Sequence, residues 1–118
     1  MINGLGNCKV YLACGATDLR KSIDGLSLIV SESFNLDLFS AALFVFCNRN
    51  RTKIKILHWE SNGFWLYYKR LEKGTFAWPK EDDDSIKEIT TRELRWLLDG
   101  IPIEQKSRFK ELKYCVVS

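Results

Sequence analysis

Cations occupy every second position through Arg49, Arg51, Lys53 and Lys55, and Lys69, Arg70 and Lys73 follow shortly afterwards. Between the two groups lie Trp59, Trp65 and Tyr67. A spacing of two puts side chains on one face of a strand, so Lys53 and Lys55 share a face, with Arg49 and Arg51 extending the row if the strand runs back that far. Guanidinium and ammonium groups beside aromatic rings are suited to phosphate contact combined with base stacking. Arg20 and Lys21 form a further basic pair near an expected helix start, where free backbone amides would help to hold a phosphate. The plainer alternative is a half-buried hairpin with its aromatics in the core and its cations forming a solvated rim.

Hydrolytic chemistry has less to draw on. Two-metal phosphoryl transfer needs carboxylates that converge on ions about 4 Å apart. Asp18, Asp24, Asp37, Glu60 and Glu72 are available but show no diagnostic spacing. His58 is the single histidine and lies within an aromatic run, where packing is its usual role. Cys8, Cys14, Cys47 and Cys115 form no CxxC pair and no recurring ligand spacing. Cys14 and Cys47 close apolar runs and read as small buried hydrophobes in a reduced chain. No serine or cysteine nucleophile motif is present. The reading is therefore of a non-enzyme with no catalytic residue, metal site or cofactor. The alternative is a metal-dependent nuclease or other phosphoryl-transfer enzyme resting on Asp18 and Asp24.

The element that must position the cations is a hairpin over residues 52–72. Ser61-Asn62-Gly63 separates two runs rich in Ile, Trp, Phe and Tyr, and Asn-Gly between such runs is a strong hairpin signal. With Asn62 and Gly63 as the centre of a type I′ turn, Ser61 faces Phe64, Trp59 faces Leu66, Leu57 faces Tyr68, Lys55 faces Arg70 and Lys53 faces Glu72. The other face then carries Glu60 with Trp65, His58 with Tyr67, Ile56 with Lys69 and Ile54 with Leu71. A one-residue slip would exchange the faces.

Before the hairpin, residues 41–47 (AALFVFC) are apolar without alternation, as in a central strand covered on both sides. Together these make a three-stranded antiparallel meander. Residues 8–13 read as a first strand with Val10 and Leu12 on one face. Thr17 then suits a helix N-cap, with Asp18 at the positive end of the dipole. Leu19, Ile23, Leu26 and Val30 form a helical stripe over residues 18–33, with Arg20 and Asp24 as an i,i+4 pair. Gly25 within it is explained if the helix packs closely on a strand. Phe76-Ala77-Trp78-Pro79 reads as an edge segment in which Trp78 plugs the core. Glu81 to Asp84 read as a solvated loop. Ile86–Ile89 suits a brief strand, and Thr90 with Glu93 has the form of a capping box for a helix over 91–99, ended by Gly100 and Pro102.

Two blocks, VYLACGATDLRKSIDGL and ALFVFCNRNRTKIKILHWESNGFWLYYKRLEKGTFAWP, closely resemble the TnpB accessory proteins of the insertion-sequence 66 family over roughly residues 8–101. The resemblance implies a protein encoded beside the transposase of a bacterial mobile element that assists DNA transposition. It supplies no catalytic residue set. The partners it implies are DNA and the cognate transposase, and a purely structural transposase-binding role without DNA contact is a third reading.

At 118 residues, 46% apolar and 28% charged, the chain suits one α+β domain that buries a core without disulfides. The expected domain covers 1–118, with a core over 8–101 and a tail over 102–118. Its mainly antiparallel sheet would be packed by one long and one short helix. The net charge of +3 divides into +5 over residues 1–80 and −2 over 81–118, a basic body suited to a polyanion. No run is long and apolar enough to span a bilayer, and the N-terminus lacks a secretory pattern, so a cytoplasmic location without membrane partners is expected.

Overall fold

The structure, a computed structural model, describes residues 8–79 and 85–100. Five strands, β1 Val10–Ala13, β2 Leu43–Cys47, β3 Lys53–Glu60, β4 Gly63–Arg70 and β5 Ile86–Ile89, form one mixed sheet in the order β4-β3-β2-β1-β5. Only β1 and β2 pair in parallel, joined by the helical crossover; the other three pairings are antiparallel. The apolar run of β2 takes the central place, with all five residues buried. Its odd residues, Leu43, Val45 and Cys47, enter one core with Val10, Leu12, Ile54, Ile56 and helix α2 (Thr91–Leu98). Its even residues, Phe44 and Phe46, enter a second core with Leu26, Val30 and Leu57. The sheet is thus covered on both sides, as a strand without polar alternation requires.

Several expectations hold, including the meander β2-β3-β4, the brief β5 and the capping box. Thr90 Oγ1 accepts from the Glu93 N–H at 3.1 Å, and Glu93 returns the contact to the Thr90 N–H at 2.9 Å. Leu94 and Leu97 of α2 are buried, and Gly100 follows with φ +90°.

The long helix over 18–33 is not present. Helix α1 spans Ile23–Leu28 and passes into a π-helical turn, Ile29–Ser33. Residues 17–22 are held in a turn by competing bonds. The Thr17 N–H donates to Cys47 O at 2.8 Å, and the Asp18 carboxylate accepts the Arg20 N–H at 3.0 Å. Side-chain acceptors of this kind compete with helix formation. The carbonyls of Leu19 and Lys21, which a helix would offer to Ile23 and Gly25, instead accept the Lys55 ammonium at 2.7 and 3.1 Å. Arg20 accordingly pairs with Asp18 and not with Asp24. The apolar stripe still packs, with Leu26 and Val30 fully buried. The nearest neighbour at Gly25 is not a strand but Lys21: a Cβ there would lie 2.9 Å from Lys21 Cβ, so the glycine admits the turn folded just before the helix.

The hairpin also closes differently. Its loop is Ser61-Asn62, with Glu60 opposite Gly63, Trp59 opposite Phe64, Leu57 opposite Leu66 and Lys53 opposite Arg70. Relative to the expected pairing every partner is displaced by two residues, so the register is corrected while each residue keeps its face. Of the two loop residues only Ser61 has positive φ, +56°, and the Asn62 N–H donates to Glu60 O at 2.6 Å, so the I′ turn, which needs positive φ at both, is not formed. The segment after Gly74 pairs with no strand, yet Trp78 plugs the core as expected. Phe76 and Trp78 turn into the core, where Trp78 Nε1 donates to Ala13 O at 3.2 Å. Glu81 to Asp84, Cys115 and the tail over 102–118 lie outside the described residues.

Two outcomes follow from these geometries. Ser61→Gly relieves a positive φ and should raise stability by about 0.5–1 kcal/mol, read as a higher urea midpoint at constant m. Burial pushes the Cys47 thiol from its ordinary 9.0 up to about 12. An unfolded chain releases this proton first, so the stability present below pH 9 should fall as pH rises towards 12. Alkaline denaturation of Cys47→Ala should show a shallower decline than the parent chain.

Candidate polyanion-binding pocket

The loop after β2 is built around Asn48. Its Oδ1 accepts the N–H groups of Thr52 and Lys53 at 2.9 and 3.0 Å, and its Nδ2 donates to Thr52 Oγ1 at 3.2 Å. Arg51, at φ +59°, closes the turn by donating its N–H to Asn48 O. Beside it, residues 16–20 are tied down by the bond between Thr17 and Cys47. The two loops and the adjoining face of the hairpin enclose an open cavity of about 850 Å³. Among the described residues four cations, Arg20, Arg49, Lys53 and Lys55, line it together with Leu66, Tyr68 and one carboxylate, Asp18.

That carboxylate is already engaged. Arg20 Nε lies 3.0 and 3.2 Å from its two oxygens and Nη2 lies 2.8 Å from Oδ2. The guanidinium contact holds the Asp18 carboxyl well below the usual carboxylate range, and Asp18 in turn raises Arg20. The pair is solvent-exposed, with the Arg20 side chain 91% accessible. Lys55 is half-buried and secures the 17–22 turn to the hairpin; its ammonium also lies 5.9 Å from the centre of the Tyr68 ring. Arg49 and Lys53 complete the wall, with Arg49 exposed and Lys53 half-buried.

The remaining predicted residues lie elsewhere. Arg70 is on the pocket face opposite Lys53 but pairs with Glu72 at 2.8 Å. Lys73 is exposed beyond β4, Lys21 lies against Gly25, and Arg51 is half-buried in its turn. Lys69 belongs to the opposite face and donates to Leu98 O, at the end of α2, at 2.9 Å. Trp65 and Tyr67 share that opposite face, stacked at 6.1 Å with planes 9° apart, and Trp65 Nε1 donates to Glu60 at 2.6 Å. Trp59 is on the pocket face but at the hairpin tip, in an aromatic cluster with Phe39 and Phe64.

Sequence reasoning missed three contributors. Tyr68 was accessible to it, since alternation already placed Tyr68 on the face of Lys53 and Lys55. Asn48 read as turn chemistry without its anchoring role, and the clamp from Lys55 to residues 19 and 21 has no local signal. Four of the five carboxylates weighed for metal chemistry are engaged structurally, Asp18 by Arg20, Asp37 by the Phe39 N–H, Glu60 by Trp65 and Glu72 by Arg70, while Asp24 lies in the first turn of α1. Among the described residues no three His, Cys, Asp or Glu side chains are grouped to hold a metal ion, and no helix is long and apolar enough to cross a membrane.

The profile of a family described as "IS66 Orf2 like protein" matches residues 8–108. The uncharacterized protein y4hO of Sinorhizobium fredii (strain NBRC 101917 / NGR234) is 36% identical over 95 residues, covering 80% of this chain and 82% of its own. A second protein of that strain, the uncharacterized y4jC, is 25% identical over 101 residues, covering 86% of each chain. No solved structure gives a significant match.

Removing the clamp tests the geometry of the pocket. Lys55→Met should cost about 1.5–3 kcal/mol, the scale of a hydrogen bond involving a charged group. It should also speed hydrogen exchange at residues 17–22 ahead of the amides of β2.

Proposed function

The chain belongs to the IS66 Orf2-like family of insertion-sequence accessory proteins, and on that premise we propose that it assists transposition by holding nucleic-acid backbone in the basic pocket. One observation carries this reading. Arg20, Arg49, Lys53 and Lys55, from three separate stretches of chain, face one open cavity in which the one carboxylate among the described residues is already bound by Arg20. A concave surface with such an excess of cations attracts polyanions and concentrates their counterion release. Tyr68, 54% exposed at its rim, supplies a ring for a sugar or base. The role is binding without catalysis, in the bacterial cytoplasm where the element's DNA lies.

A second surface supports contact with the cognate transposase. Phe39 is 60% exposed at the hairpin tip and meets Trp59 edge-on at 5.0 Å. Exposed aromatics of this kind anchor protein interfaces.

The two contacts separate experimentally. Duplex DNA binding, measured by anisotropy across a salt series, should weaken in Arg49→Glu and Lys53→Glu, each lost phosphate contact lowering the slope of log K against log salt by about 0.9. Phe39→Ser should leave DNA affinity unchanged and reduce co-purification with transposase after nuclease treatment. Absence of DNA binding at low salt would remove the nucleic-acid role.

A further inference from the structure

Among the described residues β4 has no neighbour on its outer side. It is eight residues long, contains no proline, and pairs with β3 along its whole length without a bulge. Edge strands in monomers are usually shortened, bulged, blocked or covered, because their free backbone groups recruit another strand. The backbone groups directed outward can be identified. The Leu71 N–H donates to Thr52 O at 2.8 Å, which makes 52 and 71 a hydrogen-bonded pair. Hydrogen-bonded pairs recur at every second position of an antiparallel ladder. Residues 63, 65, 67 and 69 therefore bond to β3, while the N–H and C=O groups of Phe64, Leu66, Tyr68 and Arg70 point away from the sheet.

The side chains specify what would fit this edge. Its first half is aromatic and apolar, through Phe64, Trp65 and Leu66, and its second half ends in Lys69 and Arg70. Parallel self-pairing would set the cations side by side. Antiparallel self-pairing reverses the order, so each cationic end meets the aromatic end of the other copy. Three registers make the outward groups bond to one another over most of the strand, and only one uses all four. In it Phe64 lies opposite Arg70, Leu66 opposite Tyr68, Trp65 opposite Lys69, and Tyr67 opposite its own copy at the two-fold axis. Every cation then faces a ring and no like charges are opposed, the condition for favourable cross-strand pairs.

We propose that β4 is a dimerisation edge, joining a second copy of this chain by antiparallel pairing into one continuous sheet of ten strands. The interface is isologous, as a two-fold axis requires. Because paired residues have the same parity, both basic pockets emerge on one side of the joined sheet. The proposal does not rest on nucleic-acid binding, although Leu66 and Tyr68 belong both to the edge and to the pocket lining.

Sedimentation velocity of the full chain across a concentration series tests it. The expected result is a concentration-dependent species of twice the 13.7 kDa chain mass. Tyr68→Pro removes an outward N–H from each copy while sparing the ladder to β3, and should weaken association about tenfold or more. Trp65, 53% exposed, provides a charge test that does not disturb the core. Trp65→Lys sets like charges opposite Lys69 and should abolish the dimer, whereas Trp65→Glu should preserve it. Circular dichroism confirms that each variant is folded. A chain that stays monomeric into the millimolar range, or a dimer indifferent to both Tyr68→Pro and Trp65→Lys, overturns the proposal.

Discussion

The end of β2 is the point from which both basic loops are suspended. Strand β2 is buried on both faces and cannot move without opening two cores. Its last carbonyl, on Cys47, takes the Thr17 N–H, and the next residue, Asn48, collects the backbone of Thr52 and Lys53. Arg20 and Arg49 are remote in sequence yet line the same cavity because each follows one of these attachments by only a few residues. Rigid placement matters for a charged site, since a cation that need not be ordered on binding loses less conformational freedom when its ligand arrives.

Lys55 shows the cost of that rigidity. Its position in the alternating row makes it look like a phosphate ligand, and it does line the cavity. Its ammonium is nevertheless directed to two carbonyls of the 17–22 turn, so its first effect is to hold Arg20 in place. The same contact explains why the crossover helix begins late. A helix over 18–22 would need those carbonyls for its own amides, and a lysine from β3 takes them instead.

This also marks what was legible in the sequence. The central strand, the hairpin, the capped α2 and the two faces of β3 and β4 follow from patterns local to each element, namely unbroken apolarity, alternation and Thr-x-x-Glu. The start of α1 and the turn at Ser61 were not legible, because each is set by competition. Thr17 is a good cap and Asp18 a good first-turn residue, but a distant carbonyl and a distant ammonium claim the segment. Asn62-Gly63 has the stronger local preference for the turn, yet the structure places Ser61 at the positive φ. The face assignment survived because the pairing moved by two residues, which preserves parity. The candidate site was legible as a composition of cations and rings, and its grouping was legible only in part: Arg20 joins Arg49, Lys53 and Lys55, while Lys69, Trp65 and Tyr67 belong to the other side.

Parity also decides what kind of contact the proposed nucleic-acid role would involve. A ladder of rings for successive bases needs aromatics on the same face as the phosphate ligands. Here Trp65 and Tyr67 stack against each other on the side of α2, and Trp59 is at the tip among Phe39 and Phe64. Among the aromatics of the described residues only Tyr68 lines the pocket with the cations. The arrangement therefore favours contact with the sugar–phosphate chain over stacking along a single strand. Binding of that kind is sensitive to salt and tolerant of sequence. Such tolerance fits the proposed role, in which specificity would come from a partner protein, and the aromatic tip of Phe39, Trp59 and Phe64 is the surface with the chemistry to meet one.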